Sequence, residues 1–203
     1  MSGATNPPPK PASADDKAFK EQLVALIPHL RAFARTLTGD PTAADDLAQD
    51  AMMKAWDARA SYQMGTNMKA WTFMILRNQF YSEKRRSWRQ SQLDQEAAER
   101  TLVAVADPES PVALDELRLA LATLPEEQRE ALILVGAGGF AYEEAAAICQ
   151  CAVGTVKSRV SRARKALQAT LEKGGYARDG RAAGDAMRSI LAAADRLSSA
   201  RPV

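Results

Sequence analysis

Between Ala152 and Lys173 the chain carries six cations and one acid, interleaved with the hydroxyls of Thr155, Ser158 and Ser161. Short hydroxyl donors and long forked cations on one helix face suit the reading of base edges in a DNA major groove. Helical phase sorts them. At about 100° per residue, Val153, Val156, Val160, Ala163 and Leu167 fall together as a core face, leaving Ser158, Ser161, Arg162 and Lys165 opposite. A short apolar helix from Tyr142 to Cys149 and a tight turn precede this segment, which gives the layout of a helix-turn-helix. Thr155, Lys157, Ser158 and Arg162 are therefore assigned to bases. Arg159 and Arg164, flanking that face, are assigned to phosphate oxygens. A solvated basic hairpin is the alternative.

Two further groupings lie in the first half. Asp46, Asp50, Met53 and Asp57 follow i, i+4, i+7, i+11 spacing, an acidic stripe separate from the core face of Ala44, Leu47 and Ala51. Like charges at i and i+4 repel by a few tenths of a kcal/mol, roughly, so the stripe is more easily understood if it docks on a basic partner, with a hydrated face as the equal alternative. Tyr62, Gln63, Met64 and Asn67, followed by Lys69, Trp71, Arg77 and Asn78, mix aromatic, amide and cationic groups around a helix start. Such groups suit unstacked single-stranded bases, although Trp71 by itself reads as core.

The elements that must hold these groups are helical, because Ala and Leu dominate and strand-like alternation is nearly absent. The expected class is all-α, two small helical domains joined by a flexible acidic linker. The first helix is expected over Phe19 to Leu37, kinked at Pro28 and ended by Gly39. Asp40 as N-cap and Pro41 at the first position start a second, reaching Ala58. Asn67 caps a third, with a basic end at Lys84, Arg85 and Arg86. The second domain is expected as helices over Ala113 to Leu124, Pro125 to Val135, Tyr142 to Cys149 and Ala152 to Leu171. The resulting division is a disordered tail at 1–17, a domain at 18–88, a linker at 89–112, a second domain at 113–173 and an extension at 174–203 with a weak helix near Asp185 to Ser198.

Composition excludes several classes. At 203 residues and 46% hydrophobic, the chain is too short for a large multidomain enzyme, and no apolar run approaches a bilayer span. Met1 to Ala14 holds four prolines without an apolar core, unlike a secretory signal. Charge is unevenly placed: Ser87 to Glu130 has 4 basic and 10 acidic residues, ahead of the basic helix. Cys149 and Cys151 are too close and too few for a disulfide framework, which points to a reducing cytoplasm. They also lack further ligands for zinc, so no metal and no cofactor is expected, and the lone histidine, His29, reads as structural.

Two motifs then carry a resemblance. Asp45-Asp-Leu-Ala-Gln-Asp-Ala-Met-Met-Lys-Ala-Trp56 and Thr66-Asn-Met-Lys-Ala-Trp-Thr-Phe-Met-Ile-Leu-Arg-Asn78 form one set. Leu124-Pro-Glu-Glu-Gln-Arg-Glu-Ala-Leu132, Tyr142-Glu-Glu-Ala-Ala146 and Gly154-Thr-Val-Lys-Ser-Arg159 form the other. Over Phe19 to Leu171 the chain resembles the extracytoplasmic-function sigma factors of bacterial RNA polymerase, in the branch serving the general stress response. The resemblance implies that Asp46, Gln49, Asp50 and Met53 bind core RNA polymerase. It implies that Tyr62, Asn67, Lys69, Arg77 and Asn78 capture the minus-10 element of promoter DNA, and that the Thr155 to Arg162 face reads the minus-35 element with Arg129 on phosphate. It also implies a NepR-type anti-sigma factor, removed by a PhyR-type response regulator. A sigma-like decoy and an ordinary helix-turn-helix repressor are the rivals. An enzyme is least favoured, since neither a phosphate-binding glycine loop nor a histidine constellation is present.

Overall fold

A computed structural model describes residues 14–93 and 119–172 of the chain. Most of the expected tail and linker, and the extension with its weak helix, lie outside the described residues. Seven α-helices are named here: α1 (Ala14–Ala25), α2 (Ile27–Thr38), α3 (Pro41–Asp57), α4 (Met68–Leu93), α5 (Glu126–Gly136), α6 (Tyr142–Cys149) and α7 (Val153–Glu172). A short 3-10 turn, Arg59–Ser61, follows α3. No strand occurs among the described residues.

The helix boundaries follow local chemistry. Asp40 Oδ1 accepts from the Ala43 N–H at 2.7 Å, while Gly39 takes the left-handed conformation (φ 73°) that closes α2. Asn67 Oδ1 accepts from the Ala70 N–H at 3.0 Å to cap α4. Three expectations are corrected. The first helix is two helices separated at Leu26, because Pro28 lacks the N–H that would continue the ladder, and the Leu26 N–H turns back to the Leu23 carbonyl. Helix formation starts at Ala14, within the expected tail, where Asp16 pairs with Arg59 at 3.0 Å. The third helix passes Arg86 and runs to Leu93, since nothing from Ser87 onward breaks a helix.

The two helix groups, α1–α4 and α5–α7, share one core. Leu30, Phe33, Leu37, Phe73 and Leu76 of the first are continuous with Leu132, Leu134, Phe140, Ile148 and Leu167 of the second. Phe73 is the hinge of this packing: its ring stacks on Phe33 at 4.8 Å and meets the edge of Phe140 at 5.0 Å. A satellite cluster of Phe19, Leu23, Ala55, Tyr62 and Met68 closes the far end of the first group. The two helical groups expected from the sequence are both present, and apolar side chains of each cover the other.

Candidate nucleic-acid interface

The helix-turn-helix is built as its periodicity requires. Val156, Val160, Ala163 and Leu167 are buried, while Lys157, Ser161, Arg162 and Lys165 are exposed. Gln150 makes the turn with a left-handed φ of 54°, and the Cys151 N–H reaches the Ala146 carbonyl at 3.1 Å. Glu144 fixes the start of α6, its Oε2 accepting the Ala141 N–H at 2.9 Å. The expected base-reading residues divide. Lys157 and Arg162 stand free on the surface, the Lys157 ammonium 5.6 Å from the Tyr142 ring centre. Thr155 is half-buried, and Ser158 donates to its carbonyl at 2.9 Å. Arg159 is held inside its own group, donating to Glu127 Oε2 at 2.5 Å and lying 3.7 Å from Cys151 Sγ. Arg164 is also half-buried.

Arg129 lies inside its helix group. Expected on phosphate, it is 6% exposed, and its Nε has no acceptor. Burial lowers its pKa, with Glu126 opposing.

The residues expected at the minus-10 strand occupy an unexpected setting. Tyr62 is buried in the aromatic cluster, 5.1 Å from Trp71 and 5.7 Å from Phe19, and its hydroxyl donates to the Thr66 carbonyl at 2.7 Å. Its ring is enclosed, and its hydroxyl bridges the loop that leads into α4. Asn67, Lys69 and Arg77 all meet the second helix group. Asn67 Nδ2 donates to Glu144 Oε1 at 2.6 Å. Lys69 Nζ donates to the Gly138 carbonyl at 2.7 Å, over the Phe140 ring at 5.1 Å. Burial lowers the Lys69 pKa, and the Glu144 carboxylate opposes this.

Arg77 makes the most enclosed contact. Its Nε donates to Glu130 Oε1 at 2.6 Å, with Nη2 3.4 Å from Oε2, and the Tyr81 hydroxyl lies 3.3 Å from the same oxygen. The Glu130 side chain is fully covered and that of Arg77 is 13% exposed. Burial raises the Glu130 pKa, while the Arg77 charge pulls it back. For Arg77, burial works downward, but Glu130 wins and the pKa is raised. Asn78 is exposed and lines a cleft between the groups with Arg77, Tyr81, Arg85, Glu127 and Gln150.

Glu130, Glu144 and Gly138 are functional neighbours that sequence reading missed. A signal existed for one. Glu130 lies four residues before Leu134 on the core-facing row, where an acid needs a buried cation. Gly138 is required by space: a Cβ there would lie 2.6 Å from the Leu134 carbonyl oxygen and 2.9 Å from the Phe140 ring.

The acidic stripe is where the sequence placed it. Asp46, Gln49, Asp50, Met53 and Asp57 are all exposed on α3, Met53 by 57%, and Ala44, Leu47, Ala48, Ala51 and Ala55 are buried on the other side. Cys149 is buried, which pushes its thiol up to about 12 and keeps it protonated, while His29 is exposed rather than packed. Among the described residues no cluster of three or more metal-binding side chains occurs, and no helix is long and apolar enough to cross a membrane.

Fold and surfaces together define a helical protein with a helix-turn-helix in one half and an exposed acidic stripe in the other. Family comparison agrees in both halves: Sigma-70 region 2 matches residues 23–90 and Sigma-70, region 4 matches residues 114–167. The ECF RNA polymerase sigma factor EcfG of Rhodopseudomonas palustris strain TIE-1 is 47% identical over 154 residues, 76% of this chain and 85% of that protein. Sigma factor RpoE of Bartonella quintana, solved with the anti-sigma factor NepR, superposes with a TM-score of 0.70 at 47% identity, covering 77% of this chain and 98% of that one. CnrH, solved with the cytosolic domain of CnrY, gives a TM-score of 0.57 at 26% identity over 80% and 92%. The chain belongs to the sigma-70 family of RNA polymerase sigma factors, in its extracytoplasmic-function group, and its function is promoter recognition in transcription initiation.

Proposed function

We propose that the chain directs initiation at stress-response promoters by docking the α3 stripe on core polymerase, reading a minus-35 element with α7, and trapping minus-10 bases with α4 and its leading loop. One observation carries this reading: in α7 Arg162 and Lys165 are exposed on the face opposite a buried apolar row, with Lys157 exposed at its flank. Reconstituted run-off transcription with core polymerase and a matched promoter tests it. A specific transcript separates an active specificity subunit from a decoy or a repressor, neither of which yields one.

The residues have distinct roles in this reading. Arg162, Lys157, Thr155 and Ser158 meet bases, and Arg159 and Arg164 meet phosphates once Arg159 leaves Glu127. Arg162→Ala weakens minus-35 binding by about 1–3 kcal/mol if its guanidinium spans a guanine edge. Gel shifts on matched and mismatched sites check this, and equal loss on both removes Arg162 from sequence readout. Tyr62 and Arg129 act through position, the first by shaping the loop. Asn78→Ala blocks melting while sparing minus-35 binding; normal permanganate reactivity of the minus-10 thymines counts against that role.

Asp50→Lys reverses charge at an exposed helix position, so it leaves the fold intact and reduces core polymerase binding. Undiminished pull-down of polymerase, with unchanged thermal unfolding, contradicts the docking assignment. The relative solved with NepR supports a NepR-type anti-sigma factor as the inhibitory partner. A PhyR-type response regulator then releases the sigma factor, in the cytoplasm. The chain itself makes and breaks no covalent bond.

A further inference from the structure

The loop that leads into α4 is held from outside by α1. Asp16, Phe19 and Leu23, spaced i, i+3 and i+7, share one face of that helix. Phe19 is 3% exposed and meets three rings, Tyr62 at 5.7 Å and Trp56 and Trp71 each at 6.1 Å. It therefore joins the last turn of α3, the start of the loop and the first turn of α4. Asp16 grips the loop at its entrance. Its Oδ1 accepts from Arg59 Nε at 3.0 Å, and Arg59 Nη1 donates to the Trp56 carbonyl at 3.0 Å, with the guanidinium 4.7 Å over the Trp56 ring. All of these partners belong to the first helix group, and both Asp16 and Phe19 precede residues 23–90, which carry the region 2 match. We propose that α1 is a brace that sets the 62–67 loop for capture of minus-10 bases, with Phe19 and Asp16 as its positioning residues.

Two features separate this brace from ordinary core packing. The first is what it touches. Tyr62, packed on Phe19, closes the loop through its hydroxyl on the Thr66 carbonyl at 2.7 Å, and the Thr66 hydroxyl and N–H both reach the Gln63 carbonyl, at 2.7 and 3.2 Å. Gln63, Met64, Gly65 and Asn67 are left exposed around the tip. A loop fixed in this way before DNA arrives loses less conformational freedom when it takes a base. The second feature is its separation from the reading helix: Phe19, Leu23, Tyr62 and Met68 form the satellite cluster, whereas Val156, Val160 and Leu167 of α7 lie in the main core. Removing Phe19 or Asp16 leaves the internal hydrogen bonds of the loop in place and frees its angle to α4, so the loss falls on strand capture and spares minus-35 binding.

This inference rests on the minus-10 reading above, and its test keeps the two apart. Holoenzyme is assembled from core polymerase and the full chain, as parent or as Phe19→Ala, Asp16→Ala, Asp16→Glu or Asn78→Ala. Anisotropy measures its binding of a fluorescein-labelled single strand, the non-template minus-10 segment of the promoter used for run-off transcription. Gel shifts on a minus-35 duplex report the other half, and circular dichroism verifies helix content. Asp16 is a partly exposed side chain, so its variants keep the test open where Phe19→Ala fails to fold. Phe19→Ala is expected to weaken strand capture roughly tenfold, as for a loop that holds its competent conformation a tenth of the time. Asp16→Ala weakens it about threefold, the scale of a half-exposed ion pair. Asp16→Glu, which keeps the carboxylate, retains capture, and minus-35 binding is unchanged throughout. Parent-like capture by Phe19→Ala and Asp16→Ala overturns the proposal, and so does a loss that reaches the minus-35 duplex equally. Asn78→Ala then identifies what failed: weakened capture by that variant removes only the brace, while capture undiminished there too removes the minus-10 reading itself.

Discussion

Arg77→Met is expected to destabilise the protein by about 3 kcal/mol at neutral pH, because it strips the ion partner from a carboxylate that remains covered. The Glu130 side chain has no exposed surface, and Tyr81 supplies only a longer contact at 3.3 Å. Methionine preserves most of the volume, so the loss reports charge rather than a cavity. The pH dependence follows from the direction of the Glu130 shift. Burial holds its native pKa above the unfolded value near 4.3, and removing Arg77 raises it further. A group shifted upward supports the fold fully below its unfolded pKa and loses that support as pH climbs through the native pKa. The deficit of the variant against the parent is therefore small at about pH 4 and grows toward neutrality. Urea unfolding of both proteins across that range checks this. A deficit independent of pH would place the contribution of Arg77 in packing, through its position 4.5 Å over the Tyr81 ring.

Phe140→Ala is expected to cost about 3–5 kcal/mol, the range for emptying a buried aromatic site. Phe140 is 2% exposed, touches the edge of Phe73 and underlies the Lys69 ammonium. Its backbone N–H is also tied to the Leu134 carbonyl at 3.1 Å, so the loop stays anchored while its side chain is lost. For a chain of this size the change lowers the melting temperature by roughly 6–20 °C. The informative quantity is how the transition shifts. A core shared by both helix groups lowers the midpoint for probes in either group. Calorimetry showing only the α5–α7 portion melting earlier would mean that Phe140 serves its own group alone.

The helix-turn-helix and the acidic stripe were legible without coordinates because each is a property of one helix. Phase alone separates Val156, Val160, Ala163 and Leu167 from Arg162, and Ala44, Leu47 and Ala51 from Asp46 and Asp50. Caps were legible for the same reason: Asp40 and Asn67 satisfy backbone donors three residues away. The setting of other residues depends on packing that no single-helix pattern shows. Tyr62 has the chemistry of a base-stacking platform, yet Phe19 and Trp71 enclose it. Arg129 has the chemistry of a phosphate contact, yet the packing of α5 buries it.

What the amino-acid order determined by itself is therefore the helical class, the helix-turn-helix and the acidic stripe of α3, since local hydrogen bonding and a 3.6-residue repeat act within a few turns. What only the tertiary structure decided is that the halves close on each other, with Arg77 on Glu130, Lys69 on Gly138 and Asn67 on Glu144. Those partners are separated by 53 to 77 residues. Nothing in a one-helix pattern marks them, because an ion pair is specified by where two surfaces meet in space and leaves no period along the chain.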